Sequence, residues 1–291
     1  MTRDGLPSAV RGALWMGGAL LSFMLMAVAV RELLRTLGSF EIVFLRSLVS
    51  LLMVLAVLPW FGMRALRTRH FGVHLARNVF HYGGQFAWVY AIGMLPLATV
   101  FAIEFTMPVW TAVLAVLILG ERLDRGRAVM LALGVAGILI ILKPGFAQVP
   151  PAAFVMLGGS FAYAATMIAT KRLAGHDTAF AVLFYMSAIQ VPLGLLPALP
   201  GWVNPGLAEL PWIIAVGASG LAAHFCLTRA LRAADAALVV PIDFLRLPLI
   251  AVVGVALYGE PLELTTLLGA AVIFSGTYYS IRRESRAPRR P

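Results

Sequence analysis

The sequence predicts an all-α membrane protein, with ten transmembrane helices forming two inverted five-helix repeats and both termini cytoplasmic. Three observations carry this expectation. Hydrophobic residues make up 61% of the 291 positions and charged residues only 12%, about half the charged share of a soluble domain. The apolar residues gather into ten segments, each close to the roughly 20 residues that cross a bilayer core. The second half of the chain also repeats the first.

In order, the segments are 12–30, 40–60, 72–92, 97–119, 128–146, 152–170, 179–199, 211–230, 236–258 and 262–281. The first follows Arg11 and carries "AVA" at 27–29, as a cleaved signal would, but its counterpart later in the chain marks it as a mature helix. The second holds Arg46 and is followed by Arg64, Arg67, Arg69 and Arg77. The third is the most polar, reading "NVFHYGGQFAWVYAIG". The fourth holds Glu104 and leads into Arg122, Arg125 and Arg127. The fifth and tenth carry the pairs Ala132-xxx-Ala136 and Ala271-xxx-Ser275, which mark a packing seam and suggest a homodimer through these two helices. The sixth holds Tyr163, the seventh is interrupted by Pro192, and the eighth contains the single cysteine, Cys226, which excludes an intramolecular disulfide. The ninth contains Asp243 and Arg246, and the tenth ends in the basic tail Arg282 to Arg290.

With the N-terminus inside, most of the 23 Lys and Arg fall on cytoplasmic segments. Only Arg31, Arg35 and Lys143 face the other side, and Arg46 and Arg246 lie within helices. The net charge of +10 is therefore a positive-inside topology signal and not the footprint of a nucleic-acid binder.

A shift of 139 residues lays "VFAIEFTMPVWTAVLAVLILGERL" over "VVPIDFLRLPLIAVVGVALYGEPL". Glu104 then falls on Asp243, Phe105 on Phe244, and Gly120-Glu121 on Gly259-Glu260. Nearer the start, Gly17-Gly18 falls on Gly158-Gly159 and Arg31 on Arg172. The repeats run 1–147 and 148–291, the second ending in the basic tail. Each has an odd number of crossings, so the second copy inserts upside down. Inverted repeats of this kind belong to secondary transporters, with the substrate near mid-membrane between the halves. The glycine pairs Gly17-Gly18 and Gly158-Gly159 suit either rocking hinges or close packing.

Charges central in a membrane helix cost roughly 2.5–3.5 kcal/mol each on the insertion scale, and so face an interior or a wet cavity. Arg46, Glu104, Asp243 and Arg246 form such a set. Two readings stay open: salt bridges tying the halves together, or a carboxylate that binds a substrate ammonium group or a coupling proton. In the third segment, His81, Gln85 and Trp88 share one face and Tyr82 and Phe86 the next. His81, Tyr82 and Gln85 suit a cavity that takes an amphipathic solute, whereas Trp88 and Tyr90 suit an interfacial belt. Tyr163, deep in its helix, needs a partner or a cavity.

The five-plus-five plan, "GERL" and "GEPLEL" after the fourth and ninth segments, "LGVAGILIILKP" and the early Arg46 resemble the drug/metabolite transporter superfamily. The branch is the bacterial ten-helix EamA type, with the nearest likeness to its aromatic amino-acid exporters. The resemblance implies a multi-pass carrier of the bacterial inner membrane that exports amino acids, above all aromatic or hydrophobic ones. The alternative within the family is a drug or other metabolite carrier, proton-coupled or not. It also implies that Tyr163 and the stretch Glu104–Phe105–Pro108 line the substrate cavity. Glu104 and Asp243 depart from the family, which often has apolar or small residues there.

A membrane enzyme is the rival class. It needs convergent ligands or a nucleophile with its base, and only His70-xxx-His74 has metal-like spacing, without a third ligand in sequence. No Gly-rich phosphate loop is present to drive a pump. The expectation is a carrier of a small-molecule substrate, with no cofactor, metal, catalytic residue or nucleic-acid partner.

Overall fold

The computed structural model describes residues 7–121, 123–143, 148–173, 176–234 and 236–286. Arg122, Pro144 and the tail beyond Arg286, named above in the basic loops and family motifs, lie outside the described residues. The helices are α1 (Ser8–Leu33), α2 (Ser39–Phe61), α3 (Phe71–Met94), α4 (Leu97–Glu104), α5 (Met107–Leu119), α6 (Arg125–Leu142), α7 (Pro151–Leu173), α8 (Ala179–Ala198), α9 (Leu210–Ala233), α10 (Ala236–Phe244), α11 (Arg246–Tyr258) and α12 (Leu264–Arg286). No strand occurs among the described residues.

A helix lies on every predicted segment, but 97–119 and 236–258 are each broken in two. Counting α4–α5 as one span and Pro241–Tyr258 of α10–α11 as another, nine helices among the described residues are long and apolar enough to cross a membrane. The exception is α3, which buries His74, Arg77, Asn78, His81 and Gln85 and is correspondingly less hydrophobic.

The breaks have a local cause. Pro108 offers no N–H to the Glu104 carbonyl, and its ring crowds that oxygen. The chain tightens instead: the Phe105 N–H donates to Phe101 O and the Thr106 N–H to Ile103 O, both at 3.0 Å. The hydroxyls of Thr106 (2.7 Å) and of Ser160 on α7 (3.0 Å) also donate to Ile103 O. In the second repeat the Leu245 N–H donates to Ile242 O at 3.1 Å, and Pro248 stands four residues past Phe244. The following half-helices stop alike. Gly120 (φ 67°) and Gly259 (φ 63°) take the left-handed conformation. The amides of Glu121 and Glu260 then reach back to Ala115 O (3.2 Å) and Gly254 O (3.1 Å). This is the glycine-terminated stop that makes "GE" recur in both repeats.

The repeats interlock. α1 packs on α9 and its counterpart α7 on α3, while equivalent helices meet as α2 on α8 and α6 on α12. The main core draws Val30, Ile42, Ile92, Phe101, Met156, Ile250 and Ile273 from both halves. At the α6–α12 crossing a Cβ on Gly269 would lie 2.6 Å from the Gly137 carbonyl oxygen, so these backbones touch. The crossing is made by the glycine faces of α6 and α12, while Ala132, Ala271 and Ser275 of the expected seam are exposed.

The glycine pairs do not interrupt their helices. α1 and α7 run unbroken through Gly17-Gly18 and Gly158-Gly159, because glycine, unlike proline, keeps its N–H in the ladder. Gly18 packs on Cys226 and Gly159 on Ala87, whereas Gly17 and Gly158 border open space.

Candidate functional site

The matched breaks bring the two repeats together. Phe105 and Phe244, repeat counterparts, stack with ring centroids 4.2 Å apart. Beside them Arg246 bridges both acids, 3.3 Å from Glu104 and 3.5 Å from Asp243. Its guanidinium also sits over Phe23 (4.5 Å), Phe101 (5.1 Å) and Phe105 (5.0 Å). Aromatic faces and two carboxylates are what a buried guanidinium needs. The acids themselves are less sealed, with side chains 17% (Glu104) and 25% (Asp243) exposed.

On the α3 side, the Trp88 indole N–H donates to Glu104 Oε2 at 2.8 Å. One turn earlier Gln85 accepts from Arg46 of α2. Arg46 is buried and joins neither acid; the expected four-charge cluster is a three-charge cluster, because α2 delivers its arginine to Gln85 and not to the break. His81 Nδ1 accepts from the Gln190 amide at 2.8 Å. The His81 ring meets Tyr163 edge-on at 5.7 Å and lies 6.0 Å from His224. Tyr163 packs on Gly84, whose added Cβ would lie 2.9 Å from the phenol ring. Tyr82 is half-buried against the main core with no partner for its hydroxyl. Pro108 stands at the start of α5.

Trp88 corrects the belt expectation, since it is 4% exposed and bonded to Glu104. Phe23, Gln190 and His224 were not anticipated at all. They lie on α1, α8 and α9, and packing brings them here.

A second set of contacts closes one end of the bundle. Arg31 of α1 pairs with Glu260 and donates to Ile92 O. Glu260 Oε2 also accepts from the Leu97 N–H, at the start of α4, at 2.7 Å. Tyr258 donates to Glu32 at 3.0 Å. A cleft of about 600 Å³ lined by Arg31, Leu37, Tyr90 and Tyr258 lies over this closure, away from the acids. At the other end Glu121, the counterpart of Glu260, pairs instead with Lys171 (2.8 Å) and Arg127. The bond from Lys171 first, and then Arg127, holds its carboxyl below the ordinary value against the cost of burial. α4 packs on α11, but among the described residues their counterparts α10 and α5 make no comparable contact.

At that same end His70 and His74 meet Asp177, which accepts from His74 Nε2 and from Thr68 Oγ1, each at 2.7 Å. Burial pushes the Asp177 carboxyl up. The bonds from Thr68 and His74 and the charges of both histidines outweigh it, and hold it below the usual range. No cluster suited to a metal ion occurs among the described residues.

Residues 10–143 and again 150–282 match the EamA-like transporter family. The chain belongs to that family. It is a membrane transporter, with the family unit present twice. Its relatives include the S-adenosylmethionine uptake transporter of Rickettsia prowazekii (strain Madrid E), 27% identical over 98% of this chain and 97% of the relative. The riboflavin transporter of Rhizobium johnstonii is 32% identical over 97% and 95%, and that of Vibrio cholerae serotype O1 is 28% identical over 97% and 96%. A solved crystal structure superposes with a TM-score of 0.66 at 16% identity, covering 95% of this chain and 99% of the other, which speaks for the family fold alone.

Proposed function

We propose that this EamA-family protein is an alternating-access secondary carrier of a small metabolite with a planar heteroaromatic part, in the class of S-adenosylmethionine or riboflavin. The carrying observation is the centre where both repeats break: Glu104, Asp243 and Arg246 beside the stacked Phe105 and Phe244. Accessible acids next to flat rings suit a solute that is cationic or hydrogen-bonding at one place and planar at another. The relatives' names favour the metabolite alternative over amino-acid export.

In this reading Glu104 and Asp243 receive the substrate's cationic part or a coupling proton, and Arg246 keeps them apart and oriented. Phe105 and Tyr163 cover the ring, while His81 and Gln85 offer polar contacts. Tyr82 and Pro108 sit at the margin. The carrier crosses the bacterial inner membrane ten times with both termini inside and performs no enzymatic step. Under that topology the Arg31–Glu260 end is outer and closed, and the Glu121 end is inner. The unequal packing of α4–α11 and α5–α10 supports two exchangeable states of a symmetric frame. A dimer, if formed, would use the exposed face of Ala132, Ala271 and Ser275.

Counterflow in proteoliposomes tests this, with labelled S-adenosylmethionine, riboflavin and phenylalanine, with and without a pH gradient. Exchange of either metabolite, lost in Asp243→Asn, is expected. Exchange of phenylalanine alone returns the chain to amino-acid carriage. Gradient-driven exchange abolished in Glu104→Gln assigns proton coupling to that acid.

A further inference from the structure

Two arginines lie buried near the centre, and their surroundings differ in kind. Arg246 is paired with two carboxylates and faces three phenyl rings, although its Nε, like that of Arg46, finds no acceptor. Arg46 is 4% exposed, spends one donor on Gln85, and its Nε finds no acceptor in the protein. Among the described residues no carboxylate stands within ion-pair distance of it. Its neighbours are neutral-capable polar groups, with His81, His224 and Tyr163 in electrostatic range. Gly220 of α9 leaves the guanidinium its room, since a Cβ there would come 2.9 Å from Nη2 and 3.1 Å from Nε. A buried guanidinium with open donors is an uncompensated charge, and its fork matches a carboxylate or phosphate.

We infer that Arg46 is an anion subsite, so that the site has two poles and takes a zwitterion. The acid pole, two carboxylates on one guanidinium, receives the substrate's ammonium or other cation. Arg46 receives its carboxylate. The poles are close enough for one small molecule. Gln85, which holds Arg46, and Trp88, which holds Glu104, are three residues apart on α3, about 4.5 Å along its axis. Tyr163 is within electrostatic range of both Arg46 and Glu104. This deepens the carrier reading and rests on it. Within that reading it selects an amino-acid-bearing metabolite such as S-adenosylmethionine over the uncharged riboflavin.

The test compares ligands that differ only in the carboxylate, measured by equilibrium binding to the purified full-length protein in detergent. The probes are S-adenosylmethionine with its decarboxylated form, phenylalanine with phenethylamine, and riboflavin. Wild-type protein is expected to bind the carboxylated member of a pair about tenfold or more tighter, the scale of a charge-assisted bond. Arg46→Gln is expected to erase that preference without weakening the amine. The wild-type comparison needs no variant to fold, and Arg46→Lys, which keeps the charge but not the fork, is expected to retain part of the preference. Equal binding of both members, an undiminished preference in Arg46→Gln, or binding of riboflavin alone overturns the subsite. Binding of S-adenosylmethionine without preference overturns the subsite and keeps the metabolite reading. A preference seen only with phenylalanine does the reverse. Failure of every probe to bind overturns both.

Discussion

The indole N–H of Trp88 and the guanidinium of Arg246 are the two side-chain groups that hold Glu104 in an apolar bundle. Removing one donor leaves a buried carboxylate under-satisfied, which costs about 1–3 kcal/mol. Trp88→Phe keeps the ring and deletes the bond, so a lower Tm in detergent is expected; an unchanged Tm would show that the bond contributes nothing net. Asp177 makes a pH-dependent counterpart outside the membrane. Its folded pKa lies below the ordinary 3.8. Its stabilisation is therefore complete above that value and is lost as pH falls through the lower folded one. Asp177→Asn is expected to lower Tm at neutral pH, with the gap to wild type closing as pH drops below about 4. A gap that widens in acid would reverse the sign and refute the assignment. At this scale the sequence exposed Glu104 and Asp243, because a charge in an apolar run stands out. It hid Trp88, whose partner is 16 residues away on another helix.

Among elements, the breaks after Glu104 and Phe244 and the glycine crossing of α6 and α12 decide most. Hydropathy sees 97–119 and 236–258 as single spans because a broken helix is as apolar as a whole one. Pro108 and Pro248 were visible, but not that their breaks would meet. The glycines separate cleanly by environment. Gly269→Ala would force a Cβ against the Gly137 oxygen and the Ile141 side chain, each at 2.6 Å, and overpacking of this kind costs about 1–3 kcal/mol. Gly17→Ala meets nothing within 4 Å and is expected to be neutral or mildly stabilising. Thermal unfolding of the two variants side by side checks the contrast. Equal losses would mean that the α6–α12 contact is looser than the structure has it.

Across the whole molecule, Glu260 and Glu121 are the same residue of two repeats in different employment. Glu260 ties Arg31 and the start of α4, while Glu121 holds Lys171 and Arg127 at the opposite end. If the frame exchanges its ends, weakening Glu260 should favour the state open on the Arg31 side. In a Cys226→Ser background, a cysteine placed at Val100 of α4, fully buried here, is expected to react faster with an impermeant maleimide from that side when Glu260→Gln is added. Labelling that stays as slow as in the parent would remove Glu260 from the gate.

The sequence by itself determined the class of molecule: apolar segments of bilayer length, and a transporter unit written twice. It also marked the acids and arginines at membrane depth, because burying charge is costly enough to be read in one dimension. Only the tertiary structure decided which charges belong together. Arg246 pairs with both acids, while α2 carries Arg46 to Gln85 and leaves its Nε without an acceptor. Pairing depends on how interlocked helices rotate about their axes, and side chains from opposite halves meet at distances that no spacing along the chain encodes.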